Sequence, residues 1–159
     1  MTLGVLRMRH IIIEGPDGAG KTRLARELCE RYEMAYRHEG PPPPDANVYR
    51  HYLLGLVEAE EPTVFDRYHL GEIVYGPLLR EGSKITLSQI GQLNRLATTI
   101  LCLPPWDVAF ANTRGRKELI ENTNLLRTAY HMWTLVATNK MLTENVTVFD
   151  YTRGPYVTR

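Results

Sequence analysis

The chain has 159 residues, which at about 100–200 residues per domain allows one domain and leaves no room for a second. Nineteen basic against eighteen acidic side chains leave a net charge of +1, which excludes the overall basic footprint of a nucleic-acid binder. Cys29 and Cys102 are the only cysteines; two so far apart make neither a disulfide framework nor a zinc site, and they read as buried thiols of a reducing compartment.

Met1–His10 lacks a long apolar region with a cleavage site, so it does not read as a signal peptide. No apolar run approaches the roughly 20 residues needed to span a bilayer. The expectation is a soluble, cytoplasmic protein with neither a membrane nor a nucleic acid as partner. Short apolar runs alternate with amphipathic stretches, which predicts an α/β fold with a mostly parallel sheet.

Taken in order, Ile11-Ile12-Ile13 is a continuous β-branched run, as expected of a strand buried on both faces. Residues 20–33 form a helix pattern, with Leu24, Ala25, Leu28, Cys29 and Tyr32 in one stripe. A short strand over Ala35–His38 runs into Pro41–Pro44, a stiff extended connector. Residues 47–59 suit a helix and Thr63–Asp66 a strand. His69–Arg80 and Thr86–Leu96 are two further helices, and Thr99–Leu103 is a strand stopped by Pro104-Pro105. A short helix over Trp106–Asn112 precedes a polar Arg/Gly segment. Leu125–Leu142 reads as a long helix and Val146–Asp150 as the closing strand.

Gly15-Pro16-Asp17-Gly18-Ala19-Gly20-Lys21-Thr22 satisfies G-x-x-x-x-G-K-[ST] between an apolar strand and an amphipathic helix. In that setting the glycines turn backbone N–H groups around phosphate oxygens, and the helix N-terminus adds partial positive charge. Lys21 would reach the β- and γ-phosphates of ATP, and the Thr22 hydroxyl would hold Mg²⁺. Gly15, Gly18, Ala19 and Gly20 belong to the same cradle. A GTPase would need an Asn/Thr-Lys-x-Asp segment, but Asn139-Lys140-Met141-Leu142 ends on Leu. Motor ATPases generally need a longer chain, so a small kinase remains.

Asp66-Arg67-Tyr68 follows the third strand, and strand carboxyl ends face the ligand crevice in doubly wound sheets. Asp66 could therefore bind the hydration shell of Mg²⁺ and Arg67 grip a phosphate. Thr113-Arg114-Gly115-Arg116-Lys117-Glu118 suits a mobile lid, about 112–118, whose Arg114 and Arg116 supply charge to the transferring group. His69 reads as a polar helix-start residue, and Trp106 and Trp133 as packing.

Glu14-Gly15-Pro16-Asp17-Gly18-Ala19-Gly20-Lys21-Thr22 resembles the E-G-x-D-G-x-G-K-T opening of thymidylate kinases. Asp66-Arg67-Tyr68 is similar to their D-R-Y motif, and Arg37-His38-Glu39-Gly40-Pro41 is a looser counterpart of T-R-E-P-G. The compactness resembles that of bacteriophage-encoded members. The resemblance implies a three-layer P-loop kinase fold with a five-stranded parallel sheet of order 2-3-1-4-5. It also implies transfer of the ATP γ-phosphate to a deoxynucleoside monophosphate, by one domain over residues 1–159, and a homodimer. By the same resemblance Asp17 would approach the sugar 3′-hydroxyl and Arg67 the acceptor monophosphate. The catalytic arginine would be Arg114 or Arg116, and Tyr151 and Arg153 would lie where such kinases hold adenine.

Two other readings are open. A deoxynucleoside kinase shares this fold and needs a carboxylate base near the end of the second strand, where Glu39 stands. Arg114-Gly115-Arg116-Lys117-Glu118 is also similar to the lid of that group. A non-catalytic nucleotide-binding regulatory domain would bind ATP and leave the lid arginines and Asp66 without a task.

Overall fold

The isoleucine run becomes the centre of the molecule. In the computed structural model, which describes residues 9–115 and 122–154, strand β1 spans His10–Glu14. It pairs in parallel with β3 (Thr63–Asp66) on one side and β4 (Ala97–Cys102) on the other. β2 (Ala35–His38) and β5 (Val146–Phe149) form the two edges, so the sheet order is β2-β3-β1-β4-β5 with every pairing parallel.

Among the described residues there are six α-helices, α1 (Lys21–Tyr32), α2 (Val48–Glu58), α3 (Leu70–Leu79), α4 (Leu87–Leu96), α5 (Trp106–Thr113) and α6 (Thr123–Thr138), and one turn of 3-10 helix over Tyr151–Arg153. Successive residues of a strand point to opposite faces, and the core divides accordingly. Ile13, Val64 and Ile100 pack with Leu24, Ala25 and Leu28 of α1. Ile12, Phe65 and Leu101 pack on the opposite face with residues of α2, α3, α4 and α6, including Leu56, Leu70, Ile90 and Trp133. Trp133 is fully buried, as its place in the helix stripe requires, whereas Trp106 is half-buried and stacks on Phe110. Of the two thiols, Cys102 is buried but Cys29 is only partly so.

Most element boundaries fall within one residue of the sequence expectation, and the larger differences lie in β4 and in α6, which also begins two residues early at Thr123. The last helix stops at Thr138 rather than Leu142, because the Asn139 side chain turns back to accept the Met141 and Leu142 N–H groups at 2.9 and 3.4 Å. An Asx turn of this kind competes with helical pairing, while Leu142 beyond it is still buried and keeps its place in the apolar pattern. β4 begins two residues early, at Ala97, directly from the end of α4. No helix among the described residues is long and apolar enough to cross a membrane.

Glu14 ends β1 and is 1% exposed. Its Oε1 accepts the backbone N–H groups of Tyr68, Leu70 and Gly71 at 3.1, 2.8 and 3.3 Å. Leu70 and Gly71 open α3, whose own N-cap residue, His69, makes no capping bond with its side chain. The carboxylate thus supplies from a distant strand the acceptor that orphan helix N–H groups require. Burial nevertheless dominates and pushes the Glu14 carboxyl up to about 7, against the lowering by these N–H groups and by Lys21.

The sign of the resulting pH dependence is fixed. A carboxyl whose folded pKa is raised contributes most below its unfolded value, and that contribution is lost as pH rises toward about 7. A Gln at this position accepts the same N–H groups without ionising. Urea unfolding should therefore show Glu14→Gln and the parent chain nearly equal at about pH 4.5. By pH 8 the variant should be the more stable, by up to about 3 kcal/mol. Parallel pH profiles for the two proteins would contradict the assignment.

Candidate active site

Backbone contacts set the shape of the loop between β1 and α1. Gly15 has φ +140°, and a Cβ there would collide with the Cys102 carbonyl oxygen. Gly18 has φ +75°, and its Cβ would collide with the Ala109 carbonyl oxygen of α5. Only glycine meets both demands, a left-handed backbone and a close neighbour. Asn112 Nδ2 fixes the loop from outside, donating to the Gly18 carbonyl and to Tyr151 Oη, both at 3.0 Å. The loop opens on a groove of about 1010 Å³, whose wall includes Gly20, Lys21, Thr22, His38, Arg67 and Tyr151. Ala19, also on that wall, is packed against the α1 core.

Lys21 opens α1 and is buried, with its ammonium donating to the Pro16 carbonyl at 2.6 Å. Burial first, then the neighbouring Arg67 charge, lower its pKa, while Asp17, Cys102 and Asp66 raise it. Thr22 is the next residue, and its hydroxyl donates to Asp66 Oδ2 at 2.7 Å. Asp66 is fully buried at the carboxyl end of β3, and its Oδ1 has no hydrogen-bond partner among the described residues. A hydroxyl whose proton is already directed away and a buried carboxylate oxygen without a partner form a donor set suited to hydrated Mg²⁺, which takes oxygen ligands and keeps several waters. Thr22 and Asp66 therefore fit the ion.

Arg67 has φ +69°, a conformation uncommon outside glycine. Its N–H extends the ladder by donating to the Ile13 carbonyl at 2.9 Å. From that position the guanidinium reaches Asp17 Oδ1 at 2.9 Å. Asp17 Oδ2 is buried and has no partner among the described residues, and Asp17 also lines a small cleft of about 10 Å³ with Tyr75, Trp106 and Phe110. The cradle, the candidate metal ligands and Arg67 are thus brought together at the carboxyl ends of β1 and β3, where doubly wound sheets place ligands.

The other predicted residues lie farther out. Arg114 follows α5, and its guanidinium sits 5.3 Å from the centre of the Phe110 ring. Arg116, with Lys117 and Glu118 of the expected lid, lies outside the described residues. Arg153 pairs with Asp150 at 3.4 Å with its side chain largely exposed, and Tyr151 rather than Arg153 lines the groove. Glu39, at the end of β2, is held by Arg37 Nε at 2.6 Å and lies 3.9 Å from His51 Nε2. Tyr68 sends its hydroxyl inward to the Tyr52 carbonyl at 2.6 Å, so it belongs to the core. His69 does stand at a helix start, but it is buried against Asn94 at 2.7 Å, and burial pushes its pKa down to about 4.

Sequence reading missed Asn112 as a loop clamp and Glu14 as the acceptor for α3. Asn112 is 94 residues from Gly18 and Glu14 is 54 from Tyr68, so no local pattern could pair them.

No protein-family model matches the sequence, and no curated protein matches it. Solved structures do. The YorR protein of Bacillus subtilis, in complex with phosphorylated GDP, superposes with a TM-score of 0.73 at 17% identity over 90% of this chain and 86% of that one. Deoxyadenosine kinase from M. mycoides with bound dATP gives 0.61 at 16% identity, over 90% and 91% of the two chains. Thymidylate kinase from Candida albicans gives 0.52 at 13% identity, over 91% and 84%. At these identities the likeness shows the fold: this chain has the three-layer α/β fold of the P-loop kinases, with a five-stranded parallel sheet of order 2-3-1-4-5.

Proposed function

We propose that this chain is an ATP-dependent phosphotransferase that moves the γ-phosphate to a deoxynucleoside monophosphate, dTMP or a related one. The observation that carries this reading is the Asp17–Arg67 pair at 2.9 Å beside the Lys21 cradle. It sets a cation for an acceptor phosphate next to a carboxylate whose second oxygen is buried and has no partner among the described residues. A sugar hydroxyl would complete that oxygen.

A monophosphate acceptor already carries an ionised oxygen, so the chain needs alignment and charge neutralisation rather than a strong base. The cradle amides and Lys21 would hold the β- and γ-phosphates, and Arg67 would orient the acceptor phosphate for in-line attack. Arg114 and Arg116 would fold over the transferring group from the lid. Thr22 and Asp66 would hold Mg²⁺, which supplies charge neutralisation at the phosphate oxygens when bound. The residues after β5, with Tyr151 on the groove wall and Arg153 beyond it, would border the donor base.

A second reading rests on Glu39. Its carboxylate stands at the end of β2, and its backbone N–H donates to the Asp66 carbonyl at 3.0 Å, so a nucleoside 5′-hydroxyl acceptor would have a base in the crevice. A panel of common nucleoside and deoxynucleoside monophosphates, plus thymidine, with ATP and Mg²⁺ separates the readings. Acceptor-dependent ADP release is expected with at least one deoxynucleoside monophosphate and not with thymidine. Release with thymidine alone would select the nucleoside kinase. ATP binding with no acceptor-dependent release for any compound would leave a regulatory nucleotide-binding domain.

Arg67→Ala should lower kcat by about 10³-fold, the lower end of what arginines supply in phosphoryl transfer, with a cooperative melting transition retained. A near-normal kcat would remove Arg67 from the mechanism. Arg114→Ala should reduce kcat while KM for ATP stays within about twofold, since an interaction made only in the transition state leaves ground-state binding alone. A pure KM effect would contradict the lid role.

A further inference from the structure

The edge strand β2 contributes a group to the metal end of the groove that the foregoing roles leave unused. Register pairs Tyr36 with Val64 and His38 with Asp66. The two-residue period of a strand puts both side chains on the face covered by α1. There Tyr36 Oη donates to Asp66 Oδ2 at 2.8 Å, alongside the Thr22 hydroxyl at 2.7 Å. His38 Nδ1 stands 3.6 Å from the same oxygen. Asp66 Oδ2 is thus occupied from two elements, whereas Oδ1 of the same buried carboxylate has no partner among the described residues.

We propose that Tyr36 is a positioning residue for the metal carboxylate, anchoring Asp66 Oδ2 so that Oδ1 is presented to the hydrated cation of a metal–nucleotide complex. The inference rests on the reading that this groove takes ATP with Mg²⁺. A carboxylate held by one bond can rotate about its terminal torsion, which is broad. Two hydroxyl donors on one oxygen remove that freedom and define which oxygen faces the ion. A phenol keeps its proton at neutral pH and so donates permanently. With a cation on the Thr22 oxygen, the Thr22 proton would still be free to point to Asp66, and Tyr36 would hold the same Oδ2 from β2. Partners of this kind, one bond removed from the metal, typically change affinity by about 10–100-fold.

The test uses Mn²⁺, an ion of the same oxygen preference, followed by electron paramagnetic resonance as it binds the full chain in the presence of ATP. The parent chain must first take up Mn²⁺ with ATP; if it does not, the nucleotide reading itself fails. With that established, Tyr36→Phe keeps the partly exposed ring and removes only the hydroxyl. The half-saturating Mn²⁺ concentration should rise about tenfold, while ATP affinity measured in EDTA stays unchanged. Unchanged Mn²⁺ binding in the variant would overturn the proposal. Equal losses of Mn²⁺ and metal-free ATP binding would assign Tyr36 a structural role and overturn it as well.

Discussion

One carboxylate oxygen, Glu14 Oε1, ties the end of β1 to the start of α3, and the geometry of the site follows from that tie. β1 runs straight into the glycine-rich loop, so whatever Glu14 holds is placed relative to that loop. It holds the N–H groups of Tyr68, Leu70 and Gly71. Arg67 lies immediately before that grip, and its own N–H is pinned to the Ile13 carbonyl. Caught between the two anchors, Arg67 takes a left-handed backbone and turns its guanidinium onto Asp17 of the loop. The raised pKa of Glu14 is the counterpart of this arrangement, because a carboxylate buried deeply enough to organise two elements is poorly solvated when charged.

The distribution of unsatisfied polar atoms supports the same location for chemistry. Four buried side-chain atoms among the described residues have no partner, and two of them are Asp17 Oδ2 and Asp66 Oδ1. An unpaired buried polar atom costs on the order of 1–3 kcal/mol, more when charged. The cradle therefore carries a local penalty that a ligand hydroxyl at Asp17 and a hydrated cation at Asp66 would relieve. Stability is given up where binding groups must be waiting. The other two, His69 Nδ1 and Thr99 Oγ1, lie away from this constellation and have no such account.

Much of the fold was legible in residue patterns. The isoleucine run, the glycine-rich loop and the stripe Leu24, Ala25, Leu28 are local signals, and each lies where the pattern placed it. The end of α6 was not legible, because Asn139 looks acceptable in a helix stripe and acts as a turn only once its side chain folds back. His69 stands at a helix start as expected, and what the pattern left unread is its burial against Asn94 of α4. At the site, Lys21, Thr22, Asp66 and Arg67 stood out through motif and strand-end position. Tyr36, Glu14 and Asn112 act through side-chain contacts across 30 to 94 residues. No period or spacing reports such pairings, because they depend on strand register and on which helix crosses which loop.

The claim on which the account turns is that a phosphoryl group moves from ATP to an acceptor that already carries a phosphate. Phosphorus NMR of the full chain with ATP, Mg²⁺ and a mixture of the four common deoxynucleoside monophosphates observes that transfer directly. The account predicts the resonances of a new nucleoside diphosphate growing in step with those of ADP, at the expense of one monophosphate signal. Growth of inorganic phosphate and ADP alone, or a spectrum that does not change, would contradict it.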